Sequence, residues 1–150
     1  MKNNKSFKSL FRFLPFLMAL AVFTACDKDT IVPEGELPAE AKDYLSLHFP
    51  GQAIAQIEKD TDDDSVSFDV DLENGTQLEF TEQGACTSIE WNDKLPDSVV
   101  PDALLQYVTA NYSAHAIRGW ELNKTDQEAK LTNGQELKFD LDGNFLRIDN

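Results

Sequence analysis

Two histidines, two cysteines and 27 acidic residues are the side chains of this 150-residue chain with chemistry to offer. A hydrolytic metal centre needs ligands at a spacing such as H-E-x-x-H, and neither His48 nor His115 has it. His48 closes a helical pattern, where a histidine caps the last carbonyls or packs at the core edge. Cys86 has no nearby histidine or basic helper, so a small buried thiol is favoured over a nucleophile. The glycines fall singly, in turns, and form no phosphate-binding loop. The carboxylates alternate along strands as a solvated face requires, and no acid–base pair stands out among them. The chain is expected not to be an enzyme and to need no cofactor.

The acidic oxygens suggest two other roles. Asp60, Asp62, Asp63 and Asp64 in the stretch DTDDDS are candidate calcium ligands, expected to bind weakly. Asp140-Leu141-Asp142-Gly143-Asn144 lacks the twelve-residue spacing and closing glutamate of an EF-hand, and Asp-Gly is expected at a hairpin turn anyway. Asp69, Asp71, Glu73 and Glu79 fall on the polar side of an alternating pattern and form a candidate binding face. Their counterparts later in the chain, Glu128, Lys130, Thr132 and Lys138, are mixed in sign. Trp91 follows a strand and either closes the core or stands exposed as a binding anchor, a role in which tryptophan is enriched. Solubility is the plainer reading of the charges.

The first 25 residues have a different character. Lys2, Lys5, Lys8 and Arg12 precede the apolar run from Phe13 to Phe23, and small residues lead to Cys26. A basic start, a short apolar segment and small residues at the cut describe an export signal; a membrane span needs about 20 apolar residues. Phe23-Thr24-Ala25-Cys26 resembles the bacterial lipobox, which implies cleavage before Cys26 and lipidation of its thiol. An ordinary secretory signal with a chance cysteine is the alternative. Beyond it the chain carries nine basic residues against 27 acidic ones, a formal charge of −18. That charge argues against nucleic acid as a partner and against electrostatic membrane binding, so acyl chains must provide the anchor. Residues 26–36 are polar, with Pro33 and Gly35, and are expected to be a flexible tether. Asp27-Lys28-Asp29 loosely resembles the acidic export signals of Bacteroidetes lipoproteins.

The body, residues 37–150, is written twice. At a spacing of 63, Pro38 falls on Pro101, Tyr44 on Tyr107, Phe49 on Tyr112, Ile54 on Ile117 and Ile57 on Trp120. Farther on, at a spacing of 59, Asn74-Gly75 falls on Asn133-Gly134, Phe80 on Phe139, Gly84 on Gly143, Cys86 on Phe145 and Ile89 on Ile148. The change of spacing falls in DTDDDS, as one indel in a loop of a duplicated unit would leave it. Each copy predicts a proline-led helix of about three turns. Alternating strands follow, and an Asn-Gly pair marks a two-residue hairpin turn. The fold class is α+β: two tandem units, 37–94 and 95–150, each a helix plus four antiparallel strands, with the helices packed on one side of the sheets.

This order of elements resembles the PepSY-like family, exported proteins common in the Bacteroidetes and similar in fold to beta-lactamase-inhibitor proteins. The resemblance spans about Leu37 to Asn150. It implies two adjoining sheets and implies no enzymatic activity. Cys86, Ala129 and the DTDDDS insert depart from the pattern. The leading expectation is a lipid-anchored, non-catalytic cell-envelope protein that binds or inhibits another envelope protein through its sheet face. Binding of a small ligand or of calcium is the runner-up, and a structural surface lipoprotein the third.

Overall fold

The computed structural model describes residues 29–62 and 65–149. Both helices are entered through a proline. Helix α1 spans Ala39–His48 and α2 spans Asp102–Asn111, with Pro38 and Pro101 at the N-cap. There the absent amide hydrogen costs nothing, and each proline carbonyl accepts a helical bond, from Lys42 (3.1 Å) and Leu105 (3.0 Å). Ala41 and Leu45 of α1, and Leu104 and Val108 of α2, are buried. The amides of Phe49 and Tyr112 donate to the carbonyls of Leu45 and Val108 as each helix ends.

Among the described residues nine strands form one antiparallel sheet in strict chain order. They are β1 (Thr30–Ile31), β2 (Ile54–Asp62), β3 (Ser65–Leu72), β4 (Gln77–Thr81), β5 (Cys86–Glu90), β6 (Ile117–Leu122), β7 (Gln127–Leu131), β8 (Glu136–Phe139) and β9 (Phe145–Asp149). The helix-plus-four-strand unit is made twice. The two halves do more than adjoin: β5 pairs with β6, Ile89 opposite Trp120, so the sheet runs unbroken through the join.

Two expectations need correction. The supposed tether is ordered from Thr30: β1 pairs with β2, the Val32 amide donates to the Ile57 carbonyl (3.0 Å), and Val32 packs on the core. A two-residue strand has no periodicity to read; it forms because the outer edge of β2 offers backbone groups that need partners. The indel is likewise not a simple loop insertion. Strand β2 continues to Asp62 and β3 starts at Ser65, so the added residues lengthen this hairpin relative to β6–β7.

One hydrophobic cluster joins the helices to the sheet, with Phe80, Leu104, Ala129, Leu131, Leu137 and Phe139 fully buried. The repeat is visible in side-chain detail. Tyr44 meets Phe80 edge-on at 5.7 Å and Tyr107 meets Phe139 edge-on at 5.4 Å. Cys86 stands opposite Phe80 as Phe145 stands opposite Phe139. Phe145 stacks on Tyr107 at 4.6 Å, whereas the smaller Cys86 thiol donates to the Ser88 carbonyl (3.5 Å).

Candidate binding face

With helices on one side, alternation sends every second strand residue to the other. Register then aligns these residues across the sheet. Glu58 is opposite Asp69, Asp69 opposite Glu79, and Glu79 opposite Ser88. The row continues through Glu121, Glu128, Lys138 and Arg147. Five carboxylates thus share one line, and like charges directly opposite one another repel. The neighbouring row holds Asp71, Gln77, Glu90, Lys130 and Glu136. Between the rows, Glu58, Asp69, Asp71, Glu79, Ser88 and Glu90 border a depression of about 310 Å³.

The two halves of this face differ in how their charge is balanced. In the second half, Glu128 meets Lys138 at 2.5 Å. Glu90, on the last strand of the first half, binds two cations of the second, Arg118 at 2.6 Å and Lys130 at 2.8 Å. Gly119 leaves room for the Lys130 stem, which a side chain there would crowd at 3.2 Å. In the first half, among the described residues, no cation lies within ion-pair distance of Glu58, Asp69, Asp71 or Glu79. Only amides help: Gln77 donates to Asp71 (3.0 Å) and Gln56 to Glu58 (2.7 Å).

The titration of these groups follows. Partial burial raises the Asp69 carboxyl above its ordinary value, and Glu58, Asp60, Asp29 and Asp71 add repulsion. Glu79 is raised by burial and then by Asp69, Glu121 and Asp60. Glu90 is lowered, first by its hydrogen bond from Lys130 and then, against the opposing effect of burial, by Arg118. Asp69 and Glu79 bind protons more tightly folded than unfolded, so their penalty on folding lifts as pH falls through the raised values. Glu90 works in reverse: its contribution is complete above the unfolded carboxylate value and is lost as pH falls through the lowered one. The melting temperature is therefore expected to rise as pH drops from neutral toward the upper carboxylate range, and to fall below it. Glu79→Gln should raise the neutral-pH melting temperature and flatten that rise. A melting profile identical to that of the parent would show that the Glu79 charge is under no strain.

The other candidate residues are dispersed. Glu73 lies in the turn beyond β3, its amide donating to the Ala53 carbonyl (2.9 Å). Trp91 is half-buried against the core. Its backbone amide donates to Arg118 and its indole N–H to the Asn74 carbonyl (3.1 Å), clamping the first Asn-Gly turn to the second unit. Asp60 is on the acidic face, with a buried Oδ1 that finds no hydrogen-bond partner among the described residues. Asp62 closes β2; its side chain, together with Asp63 and Asp64, lies outside the described residues, as does Cys26. Among the described residues no three histidine, cysteine, aspartate or glutamate side chains converge to hold a metal. The carboxylate of Asp140 is engaged by its own turn, accepting from the amides of Asp142 (3.0 Å) and Asn144 (2.8 Å).

Of the reactive side chains, Cys86 is half-buried and its thiol is pushed up to about 11 by burial, far from a thiolate nucleophile. His48 packs on the Tyr44 ring at 4.4 Å with Nδ1 3.0 Å from Ser98 Oγ, at the core edge where its helix-end position put it. Sequence reasoning missed Glu58, Glu121 and the Glu90–Arg118–Lys130 cluster. Glu58 and Glu121 match at the repeat spacing, yet only register shows that they extend the acidic row.

A family model described as "Putative beta-lactamase-inhibitor-like, PepSY-like" matches residues 23–68 and 66–147. The chain belongs to the PepSY-like family. Three solved structures are similar to this PepSY-like protein. A "putative calcium-regulated periplasmic protein" from Bacteroides thetaiotaomicron is 32% identical with a TM-score of 0.77, covering 81% of this chain and 97% of its own. A "putative periplasmic protein" from Bacteroides vulgatus is 38% identical with a TM-score of 0.78, covering 83% and 98%. A second from the same species, of unknown function, is 32% identical with a TM-score of 0.78, covering 82% and 100%. No curated protein matches the chain.

Proposed function

We propose that this PepSY-like protein is a lipid-anchored, non-catalytic binding or inhibitory module of the cell envelope, acting on another envelope protein through the open face of its sheet. The observation that carries this reading is the first half of the face, where Glu58, Asp69 and Glu79 stand in line with no cation in ion-pair distance among the described residues. Carboxylates held together against their own repulsion favour a basic partner, which would relieve the strain on docking. The periplasmic description of the three relatives supports an envelope location, and the residues around Cys26 support the anchor.

The test is capture from an envelope extract by the full chain and by its Asp69→Lys/Asp71→Lys/Glu79→Lys variant. Association should slow about tenfold or more in the variant, and also in the parent as salt rises. The melting temperature should not fall, because these side chains point away from the core. Equal capture by both chains would leave the acids as a solvated surface.

Cation binding is a second reading, favoured by the unpartnered Asp60 Oδ1 beside the acidic row and by the description of one relative as calcium-regulated. Calcium that raises the melting temperature of the parent, and not of an Asp60→Asn variant, would support it.

A further inference from the structure

We propose that β9 is a self-association edge, through which two copies of this chain join their sheets about a two-fold axis at Ile148. Strand β9 is the last in the sheet and pairs only with β8 among the described strands. Such an edge presents a row of unpaired backbone donors and acceptors to another chain. The opposite edge, β1, is two residues long, a usual way of blunting an edge. Strand β9 has five residues, with no proline and no lysine. Its single irregularity lies opposite Lys138 and Phe139, leaving Arg147, Ile148 and Asp149 in regular register.

The composition of this short stretch selects the partner. Among the described residues six large hydrophobic side chains are exposed, and three of them are Leu141, Leu146 and Ile148, on β9 or in the turn before it. Arg147 and Asp149 flank Ile148 on the opposite face, with side chains 57% and 44% exposed, and they bind each other at 3.2 Å. The triplet is self-complementary. When two such strands pair antiparallel about Ile148, Arg147 of each copy falls opposite Asp149 of the other, and the two isoleucines meet. Both intrachain ion pairs become cross-strand pairs, so no charge is left alone. Opposite charges placed directly across an antiparallel pair are stabilising, and like charges are destabilising. A strand of different sequence would satisfy the backbone but not both ion pairs, which is why a second copy fits better than an unrelated edge. This association engages only the Arg147 end of the row and leaves Glu58, Asp69 and Glu79 free, because β2, β3 and β4 lie toward the other end of the sheet.

The test is mild oxidation of the full chain carrying Ile148→Cys, with the parent, which keeps its native cysteines, as background. Directly opposed Cβ atoms in an antiparallel pair lie about 4.5–5.5 Å apart, close enough for a disulfide after small adjustment. Dimer should form at least about tenfold more from this variant than from Leu47→Cys, since Leu47 is 74% exposed but lies on α1. Adding Arg147→Asp or Asp149→Arg alone should lower the yield about tenfold, by setting like charges opposite one another. Combining the two exchanges restores complementarity and should restore the dimer. Melting temperatures of the four variants that carry Ile148→Cys should agree, since both charged side chains are exposed. Equal yields from Ile148→Cys and Leu47→Cys would overturn the proposal, as would a double exchange that fails to rescue.

Discussion

Replacing Trp120 by alanine is expected to lower the unfolding free energy by about 3–5 kcal/mol. Trp120 is 9% exposed and stands where the two units join, opposite Ile89 on β5 and Ala129 on β7. Its indole N–H donates to Oε1 of Gln127 (3.1 Å), itself buried and committed through its amide to the carbonyls of Asp140 and Leu141. Truncation opens a cavity and strands the Gln127 oxygen. Trp120→Phe separates the two losses, because it keeps most of the apolar volume and still orphans that oxygen. It should cost about 1–3 kcal/mol. Because the sheet is continuous through β5 and β6, the parent should unfold in one step, with tryptophan fluorescence and far-ultraviolet dichroism giving the same midpoint. Two separated transitions in the parent would mean that the units fold independently, contrary to a shared sheet.

The second large effect is expected at two of the turn glycines. Gly84 has φ +93°, and a methyl group there would sit 2.8 Å from the Ala41 amide nitrogen and 3.0 Å from Pro38 Cβ. Gly143 occupies the same place in the second unit, with φ +86° and a would-be methyl 2.5 Å from Ala103 Cβ. These glycines let a strand turn pass under the first turn of its helix, so they fix how closely helix and sheet approach. Gly75 and Gly134 share a φ of +86° but have open space around them. Alanine at Gly75 or Gly134 should therefore cost about 1 kcal/mol, the strain of positive φ alone. At Gly84 or Gly143 the steric overlap is added, and roughly 2–4 kcal/mol is expected. Denaturant titration of all four variants tests the pairing. Equal losses at Gly75 and Gly84 would mean that the helix moves away freely and that its contact with the turn does not matter.

The repeat itself was legible because its signals are local. A proline before a helix and an Asn-Gly pair between alternating segments each act within a few residues of chain. The matched spacing puts Cys86 in the place of Phe145. One substitution pair shows where that legibility stops. Ile57 and Val70 face each other in the first unit, and their counterparts Trp120 and Ala129 face each other in the second. Read along the chain, Ala129 is only a departure from pattern. Across the sheet it is the small residue that makes room for the large one.

The functional face was half legible for the same reason. Alternation alone placed Asp69, Asp71 and Glu79 on the polar side of their strands, since side-chain direction is fixed by a period of two. The sequence by itself therefore determined the two repeated helix-plus-four-strand units, their turns and the polar side of each strand. Which acids become neighbours depends on cross-strand register, a product of pairings between segments far apart in the chain. Only the tertiary structure decided that Glu58 and Glu121 extend the acidic row, that Arg118 and Lys130 converge on Glu90, that β1 grows from the tether, and that two sheets become one. Those are long-range pairings, settled by the packing of one shared core and the demand of each strand edge for hydrogen-bond partners.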